Sequence, residues 1–166
     1  MISREPIAIT SHQPGNYSIS TDPALLDVDA VHAFLTRCYW SPGIAHDKVA
    51  RALAHSLCFG VYEERPPAPR RQVGLARVIS DFATFAYLCD VYILEEHRGR
   101  GLSQQLMQVV LHHPQLQGLR RFCLFTRDAH KLYTRFGFQP MPDPSRYLER
   151  FTPPPQQKPP TPPKGG

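Results

Sequence analysis

The feature that most constrains the fold is a hydrophobic strand that runs into a loop of arginine and glycine and then into an amphipathic helix. Residues 92–103 read YILEEHRGRGLS, and the helix that follows places Leu102, Leu106, Val109 and Val110 on one face. The first turn of a helix has N–H groups without an intrahelical acceptor, and the helix dipole adds partial positive charge there. Glycines let an anion approach the backbone closely. The segment therefore predicts an anion site, for which a phosphate is the usual occupant.

Three phosphate-binding motifs compete for this loop. A P-loop needs GxxxxGK[ST], and the sequence has no such run. A dinucleotide fingerprint needs GxGxxG; Gly99 and Gly101 fit, but Gln104 stands at the third glycine. The pattern Arg-x-x-Gly-x-Gly/Ala after a strand matches at Arg98 and Gly101, with Ser103 in the last place. An ordinary solvated turn with two glycines is the alternative to all three.

The rest of the chain predicts an α/β or α+β fold, because strand patterns alternate with helical ones. The predicted strands span residues 17–20, 58–62, 72–80, 82–94, 121–125 and 147–150. The predicted helices span residues 27–39, 47–57, 101–113 and 129–136.

A chain of 166 residues has room for one domain. We assign residues 1–150 to it, because residues 151–166, FTPPPQQKPPTPPKGG, contain seven prolines and no apolar period. This tail is predicted to be disordered or polyproline-like. No apolar run approaches the roughly 20 residues of a membrane helix, and the first ten residues have no apolar signal-peptide core. We therefore expect neither a membrane association nor a secretory signal.

The four cysteines, Cys38, Cys58, Cys89 and Cys123, form no CxxC pair, and each lies in an apolar segment. Buried, reduced thiols in a cytoplasmic protein are the expected outcome. His112 is followed directly by another histidine instead of one at i+4, so no metal site is predicted.

The formal charge of +5 falls to +3 without Lys158 and Lys164 of the tail. A surplus this small suits an anionic ligand, whereas a nucleic-acid surface needs a denser basic stripe. The arginines at 98, 100, 120, 121, 127 and 135 keep nucleic-acid binding as a weaker alternative.

A second motif lies about thirty residues after the loop. Residues 129–138 read AHKLYTRFGF, which completes the pattern Ala-x-x-Leu-Tyr-x-x-x-Gly-Phe. With the Arg-x-x-Gly-x-Gly/Ala loop before it, the chain resembles the GNAT superfamily of N-acetyltransferases over roughly residues 72–140. The resemblance implies a single domain with a mixed, mostly antiparallel central sheet flanked by helices. It also implies transfer of an acetyl group from acetyl-CoA to a primary amine, by direct attack in a ternary complex. A homodimer is allowed by the same analogy.

The resemblance also implies roles for individual residues. The strand before the loop pairs with the pantetheine arm of CoA, which maps onto the backbone of Ile93 and Leu94. Tyr133 matches the tyrosine that faces the CoA sulfur. The backbone N–H groups that hold the CoA pyrophosphate are those of Arg98, Gly99, Arg100, Gly101, Leu102 and Ser103.

The chemistry fits these residue types. A tyrosine hydroxyl with a pKa near 10 can protonate the leaving CoA thiolate. The acceptor amine must first lose a proton. Asp90 is the candidate base, because a carboxylate within the apolar segment FAYLCDVYIL is costly to bury and is hard to explain by solvation alone. A hydrogen-bonded structural carboxylate is the alternative; Asp81, Glu95 or a water chain could also serve. His97 is expected at the surface, with a phosphate contact as its alternative.

The acceptor is left open: a small amine, an amino acid analogue or a peptide N-terminus. The aromatic residues that could enclose it are Tyr39, Trp40, Phe82, Phe85 and Tyr87. A CoA- or nucleotide-binding module without turnover is the main rival to an enzyme.

Overall fold

Alternating apolar side chains build a sheet of six strands in the part of the chain that the computed structural model describes, residues 10–152. The strands are β1 (Thr10–Gln13), β2 (Tyr17–Ser20), β3 (Leu57–Glu63), β4 (Arg71–Ser80), β5 (Phe85–Ile93) and β6 (Arg121–Leu124). The α-helices are α1 (Val28–Leu35), α2 (His46–Ala54), α3 (Leu102–Leu111) and α4 (His130–Thr134). Four short 3-10 turns complete the described elements: Pro23–Leu25, Glu95–His97, Pro114–Leu116 and Pro144–Arg146.

The order of the strands in the sheet is their order in the chain. The first five pair antiparallel, whereas β6 lies parallel to β5 because α3 carries the chain back across the sheet. The pairing of β5 with β6 covers only Phe85 to Leu88. From Cys89 to Ile93, β5 therefore has no strand of the described chain on its β6 side, and this is where the site opens.

Helices cover both faces of the sheet. On one face, α1 and α2 bury Val31, Leu35, Val49 and Leu53 against Leu75 and Tyr92 of the sheet. On the other face, α3 buries Leu102, Leu106, Met107 and Val110 against strand residues that include Phe59, Val78 and Leu88. This mixed, mostly antiparallel sheet between helices confirms the predicted fold class. The longest helix has 10 residues, and no helix within residues 10–152 could cross a bilayer.

Several predicted boundaries shift. The first helix ends at Leu35, well before residue 39, because residues 36–44 form turns closed by a hydrogen bond from the Gly43 N–H to the Thr36 carbonyl (2.8 Å). Residue 57 opens β3 instead of ending α2. The strand predicted from residue 82 begins at Phe85, because residues 81–84 form the β4–β5 turn.

The strand predicted at residues 147–150 is wrong. Prolines place a 3-10 turn at Pro144–Arg146, and the chain after it finds no strand to pair with; Leu148 is 91% exposed. β1 was not predicted. Of the predicted tail, only Phe151 and Thr152 belong to the described residues, and both are exposed; residues 153–166 lie outside them.

Candidate active site

The arginine–glycine loop forms a cradle at the N-terminus of α3. Gly99 and Gly101 have φ of +74° and +76°, in the left-handed region that favours glycine. A Cβ built on Gly99 meets no atom within 4 Å, so the space above the loop is open. A cavity of about 240 Å³ lies there. It is lined by Ile93, His97, Arg98, Gly99, Gly101, Leu102, Ser103, Gln104 and Leu132.

The backbone of this cradle is a set of donors without acceptors. The N–H groups of residues 99–103 make no hydrogen bond to any of the residues that the structure describes, whereas the next two, on Gln104 and Gln105, donate to the Gly101 carbonyl (both 3.1 Å). The positive end of the α3 dipole points the same way. Such an arrangement fits a diphosphate.

The two loop arginines hold the cradle in shape. The Arg98 Nε donates to the Ile93 carbonyl (3.0 Å), and the Arg100 Nη1 donates to the Tyr17 hydroxyl (3.0 Å). That hydroxyl also forms a hydrogen bond with His97 Nδ1 (2.8 Å). These contacts turn part of each guanidinium inward, which leaves fewer of its N–H groups free for a phosphate.

His97 is a correction to the sequence-based expectation. It was expected at the surface, but only 4% of it is exposed. The 3-10 turn Glu95–His97 swings its ring under the loop, where it packs edge-on against Tyr17 with 5.8 Å between ring centroids. Its Nε2 is buried without a hydrogen-bond partner in the described part of the chain.

A second, larger cavity of about 610 Å³ adjoins the cradle. α1, the turns after it and α2 form one side, and β4, β5 and the chain from β6 to α4 form the rest. α4 links the two spaces, because Leu132 lines the cradle and the next residue, Tyr133, lines the large cavity. β5 also borders both spaces, because Ile93 lines the cradle and Val91 lines the large cavity.

Tyr133 faces the large cavity from α4. The residue is 8% exposed, and its hydroxyl makes no hydrogen bond to the rest of residues 10–152. Burial, with smaller contributions from Tyr39 and Asp128, raises the pKa of Tyr133 to about 12. The phenol is therefore protonated at neutral pH and has a proton to give.

Asp90 reaches the same cavity because β5 contains a bulge. Leu75 pairs with Tyr92, but Arg77 pairs with Cys89, so β5 has one extra residue opposite Ala76. Asp90 stands at this extra position and has a φ of +50°. The bulge turns its side chain toward the α1–α2 face instead of the apolar α3 face.

The Asp90 carboxylate is held by two donors. Oδ2 accepts a hydrogen bond from Arg77 Nε (2.7 Å), and Oδ1 accepts one from Trp40 Nε1 (3.1 Å). Arg77 Nη1 also donates to the Ser56 hydroxyl (3.0 Å). Burial alone would lower the pKa of Arg77, but the attraction of Asp90 and its hydrogen bond, together with contributions from Cys89 and Cys58, outweigh burial and raise that pKa.

Comparison with known proteins identifies the family of this chain. The model of the GNAT acetyltransferase domain matches residues 54–140. The candidate acetyltransferase FG08082 of Gibberella zeae is 40% identical over 72% of this chain and 76% of its own. The chain belongs to the GNAT family of acetyltransferases.

A candidate GNAT acetyltransferase of Xanthomonas campestris, known from a crystal structure, is 51% identical with a TM-score of 0.77, and the alignment covers 82% of this chain and 94% of that one. A candidate acetyltransferase of Clostridium acetobutylicum, solved with acetyl-CoA, shares the fold at 17% identity with a TM-score of 0.58, over 82% and 95% of the two chains.

Several predicted residues lie elsewhere in this GNAT domain. Asp81 caps the β4–β5 turn: its Oδ2 accepts from the Thr84 hydroxyl, and its Oδ1 accepts from the N–H groups of Ala83, Thr84 and Phe85. The bond from the Thr84 hydroxyl, followed by those from the N–H groups, lowers the pKa of Asp81. Of the predicted aromatic residues, Tyr39, Trp40 and Tyr87 line the large cavity. Phe82 and Phe85 do not; both are exposed.

Sequence reasoning missed Arg77 and Phe125, which both line the large cavity. Arg77 had a readable signal, because an arginine inside the apolar strand QVGLARVIS needs a buried acidic partner. Phe125 had none, since an aromatic residue at the end of a strand is usually part of the core. Within residues 10–152, no group of three or more histidine, cysteine or acidic residues is arranged to hold a metal ion.

Proposed function

We propose that the protein transfers the acetyl group of acetyl-CoA to a primary amine, by direct attack within a ternary complex. One observation carries this proposal: two features meet at one helix, α4. One is a cradle of backbone N–H groups, and the other is a cavity with a protonated tyrosine hydroxyl; neither has a hydrogen-bond partner within residues 10–152. The cradle suits the CoA diphosphate, and the cavity suits the thioester and the amine. That the relative from Clostridium acetobutylicum was solved with acetyl-CoA supports this choice of donor.

The end of β5 would orient the pantetheine arm. The Leu94 N–H donates to the Val73 carbonyl (2.8 Å), so Leu94 faces β4. Because hydrogen-bonding groups alternate along an antiparallel pair, the N–H of Ile93 faces the side that β6 leaves open. We therefore assign the arm's hydrogen bond to Ile93, while Leu94 contributes through its place in the sheet.

Two residues would handle the protons. The amine nitrogen forms a bond to the thioester carbon while the carbon–sulfur bond breaks. Tyr133 gives its proton to the departing thiolate, and Asp90 takes the proton that the amine loses. Holding the two reactants in contact supplies several kcal/mol of the rate enhancement by itself. Each Asp90 oxygen already accepts one hydrogen bond and has a further lone pair for the ammonium group.

Binding and turnover together test the proposal. The full chain is titrated with acetyl-CoA by calorimetry, and thiol release is measured across a panel of amines. Tyr133→Phe is expected to lower kcat about a hundredfold or more, because the thiolate then lacks its acid, and to leave the acetyl-CoA Kd within twofold. Tyr147→Phe, an exposed tyrosine outside both cavities, is the matched control and should match the parent.

The outcomes separate the rival functions. Absence of acetyl-CoA binding in the micromolar range overturns the whole proposal. Binding without thiol release from any amine identifies a CoA-binding module instead of an enzyme. An unchanged kcat for Tyr133→Phe removes Tyr133 as the acid but leaves the transfer reaction in place.

A cytoplasmic location is part of the same proposal. All four cysteines are free thiols. Burial raises the pKa of Cys58 and of Cys89 to about 12, so both are unreactive, as in proteins kept reduced. The homodimer stays a prediction from the family analogy.

A further inference from the structure

We infer that the acceptor is a primary amine on an uncharged aromatic body, with no carboxylate beside the amine and no second cationic group. The inference rests on the proposed function and narrows it to a substrate class. It follows from how the charged and aromatic residues of the large cavity are arranged.

Two aromatic pairs from separate parts of the chain line this cavity. Tyr39 and Trp40, in the turns after α1, lie edge to face with 5.0 Å between ring centroids. Tyr87 of β5 and Phe125, just after β6, lie edge to face at 5.6 Å. Trp40 is 42% exposed and Phe125 is 64% exposed. Large rings left open around one cavity favour an apolar, flat ligand that covers them.

Apart from Asp90 and Asp128, no residue that lines this cavity carries a negative charge for a second cation. Leu35, Ile44, Val49 and Leu53, from α1, the turns after it and α2, are all apolar. A polyamine would have to bury an ammonium group against them without a counter-charge, which is strongly unfavourable. The acid at the rim, Asp128, is two-thirds exposed and lies 3.9 Å from Arg127.

The charges of the cavity also exclude an amino acid. The α-carboxylate of an amino acid lies about 3 Å from its nitrogen, so an amine placed at Asp90 would bring that carboxylate against another one. The nearby cation, Arg77, is already committed to Asp90 and to the Ser56 hydroxyl. Arg127 stacks on the Tyr39 ring at 3.7 Å, next to Asp128. Both cations are therefore paired, and an amine without a carboxylate fits best.

The test compares amines that differ in one group. Thiol release by the full chain is measured with acetyl-CoA and 2-phenylethylamine, L-phenylalanine or 1,4-diaminobutane. L-Phenylalanine adds only a carboxylate to 2-phenylethylamine, and 1,4-diaminobutane replaces the phenyl ring with an aminoethyl group. We expect kcat/KM for 2-phenylethylamine to exceed that of each of the others at least tenfold.

Two variants of Trp40 test the aromatic wall. Trp40→Leu removes the ring and should raise the KM for 2-phenylethylamine roughly tenfold, whereas Trp40→Phe keeps a ring and should raise it less than threefold. Neither should change the KM for acetyl-CoA. Phe85→Leu is the matched control, because Phe85 is similarly exposed but does not line the cavity.

Each result has a defined meaning. If L-phenylalanine or 1,4-diaminobutane is acetylated as well as 2-phenylethylamine, the substrate class is wrong and the transfer reaction stands. If Trp40→Leu behaves like Phe85→Leu, the aromatic wall does not bind the acceptor, and the inference also fails. If no amine releases thiol, the proposed function fails and this inference fails with it.

Discussion

Asp90 has a backbone conformation that residues other than glycine seldom adopt. Its φ of +50° costs about 1–2 kcal/mol for an L-residue. The hydrogen bonds to Arg77 and Trp40 hold the residue there and aim its carboxylate at the cavity. Strain of this kind is concentrated at functional sites, where the surrounding structure fixes it. Replacement by glycine would relieve the backbone strain but would also remove the carboxylate. The carboxylate is therefore present at this position only together with the strain.

The role of Asp90 can be tested by removing its charge alone. Asp90→Asn should lower kcat/KM for an amine about a hundredfold, because the acceptor then loses both its counter-ion and its base. The remaining activity should rise tenfold per pH unit between pH 6 and 9, since the free-amine fraction rises at that rate. Asp81→Asn, at the β4–β5 turn, is the control with full activity. Retention of more than half the activity by Asp90→Asn would assign Asp90 to structure only.

At the scale of elements, the loop at α3 shows how a sequence motif becomes a binding surface. Its two glycines take left-handed conformations, and this leaves five successive amides without a partner among the residues that the structure describes. Two hydrogen bonds attach the loop to the sheet: Arg100 donates to the Tyr17 hydroxyl of β2, and Arg98 donates to the Ile93 carbonyl of β5. The cradle is therefore fixed by the sheet before any ligand binds.

Gly101→Ala tests this cradle. A methyl group at φ of +76° strains the backbone by about 1–2 kcal/mol and narrows the space for the diphosphate. We expect the acetyl-CoA Kd to rise at least tenfold and the free energy of unfolding to fall by about 1 kcal/mol. Gly118→Ala is a matched control, because Gly118 has φ of +71°, also has open space around it and lies outside both cavities. An equal rise in Kd for both variants would refute a diphosphate contact at Gly101.

The elements that the sequence predicted are those set by local pattern. The strand, glycine loop and helix around residue 98 and the short helix that carries Tyr133 follow from spacing and composition alone. The bulge at Asp90 does not, because strict alternation along β5 would place residues 86, 88 and 90 on one face. The partners of His97 and Arg77 lie 80 and 13 residues away in the chain. The apolar strand around Arg77 signals that it has an acidic partner, but no local pattern identifies that partner or the partner of His97. The false strand at 147–150 had a strand-like composition but no neighbour to pair with.

At the scale of the whole molecule, burial of ionisable groups gives the fold an alkaline limit. Burial raises the pKa of Cys58 and of Cys89 to about 12 and also raises the pKa of Tyr92. In the unfolded chain these groups lose their protons near pH 9 and pH 10. Above pH 9 the unfolded state therefore binds fewer protons than the folded state, and stability falls as pH rises toward 12.

Chemical denaturation measures this limit. The urea midpoint, with reductant present, should be constant between pH 7 and 8 and should fall from pH 9 to pH 11. The free energy of unfolding derived from these curves should fall by about 1.4 kcal/mol per pH unit for each proton that only the folded state retains. Cys58→Ala should make the curve less steep. A midpoint that stays constant up to pH 11 would show that these groups titrate alike in the two states.

Because the strands of the sheet follow chain order, the protein is expected to acquire its parts in the order of translation. Pairings between neighbours close short loops and form early, as the chain leaves the ribosome. The amide donors at the start of α3 come earlier in the chain than α4, whose Leu132 completes the lining of the cradle. Under the proposed function, recognition of the donor begins at α3 and the acid, Tyr133, comes from α4, so turnover of acetyl-CoA requires both helices to be in place.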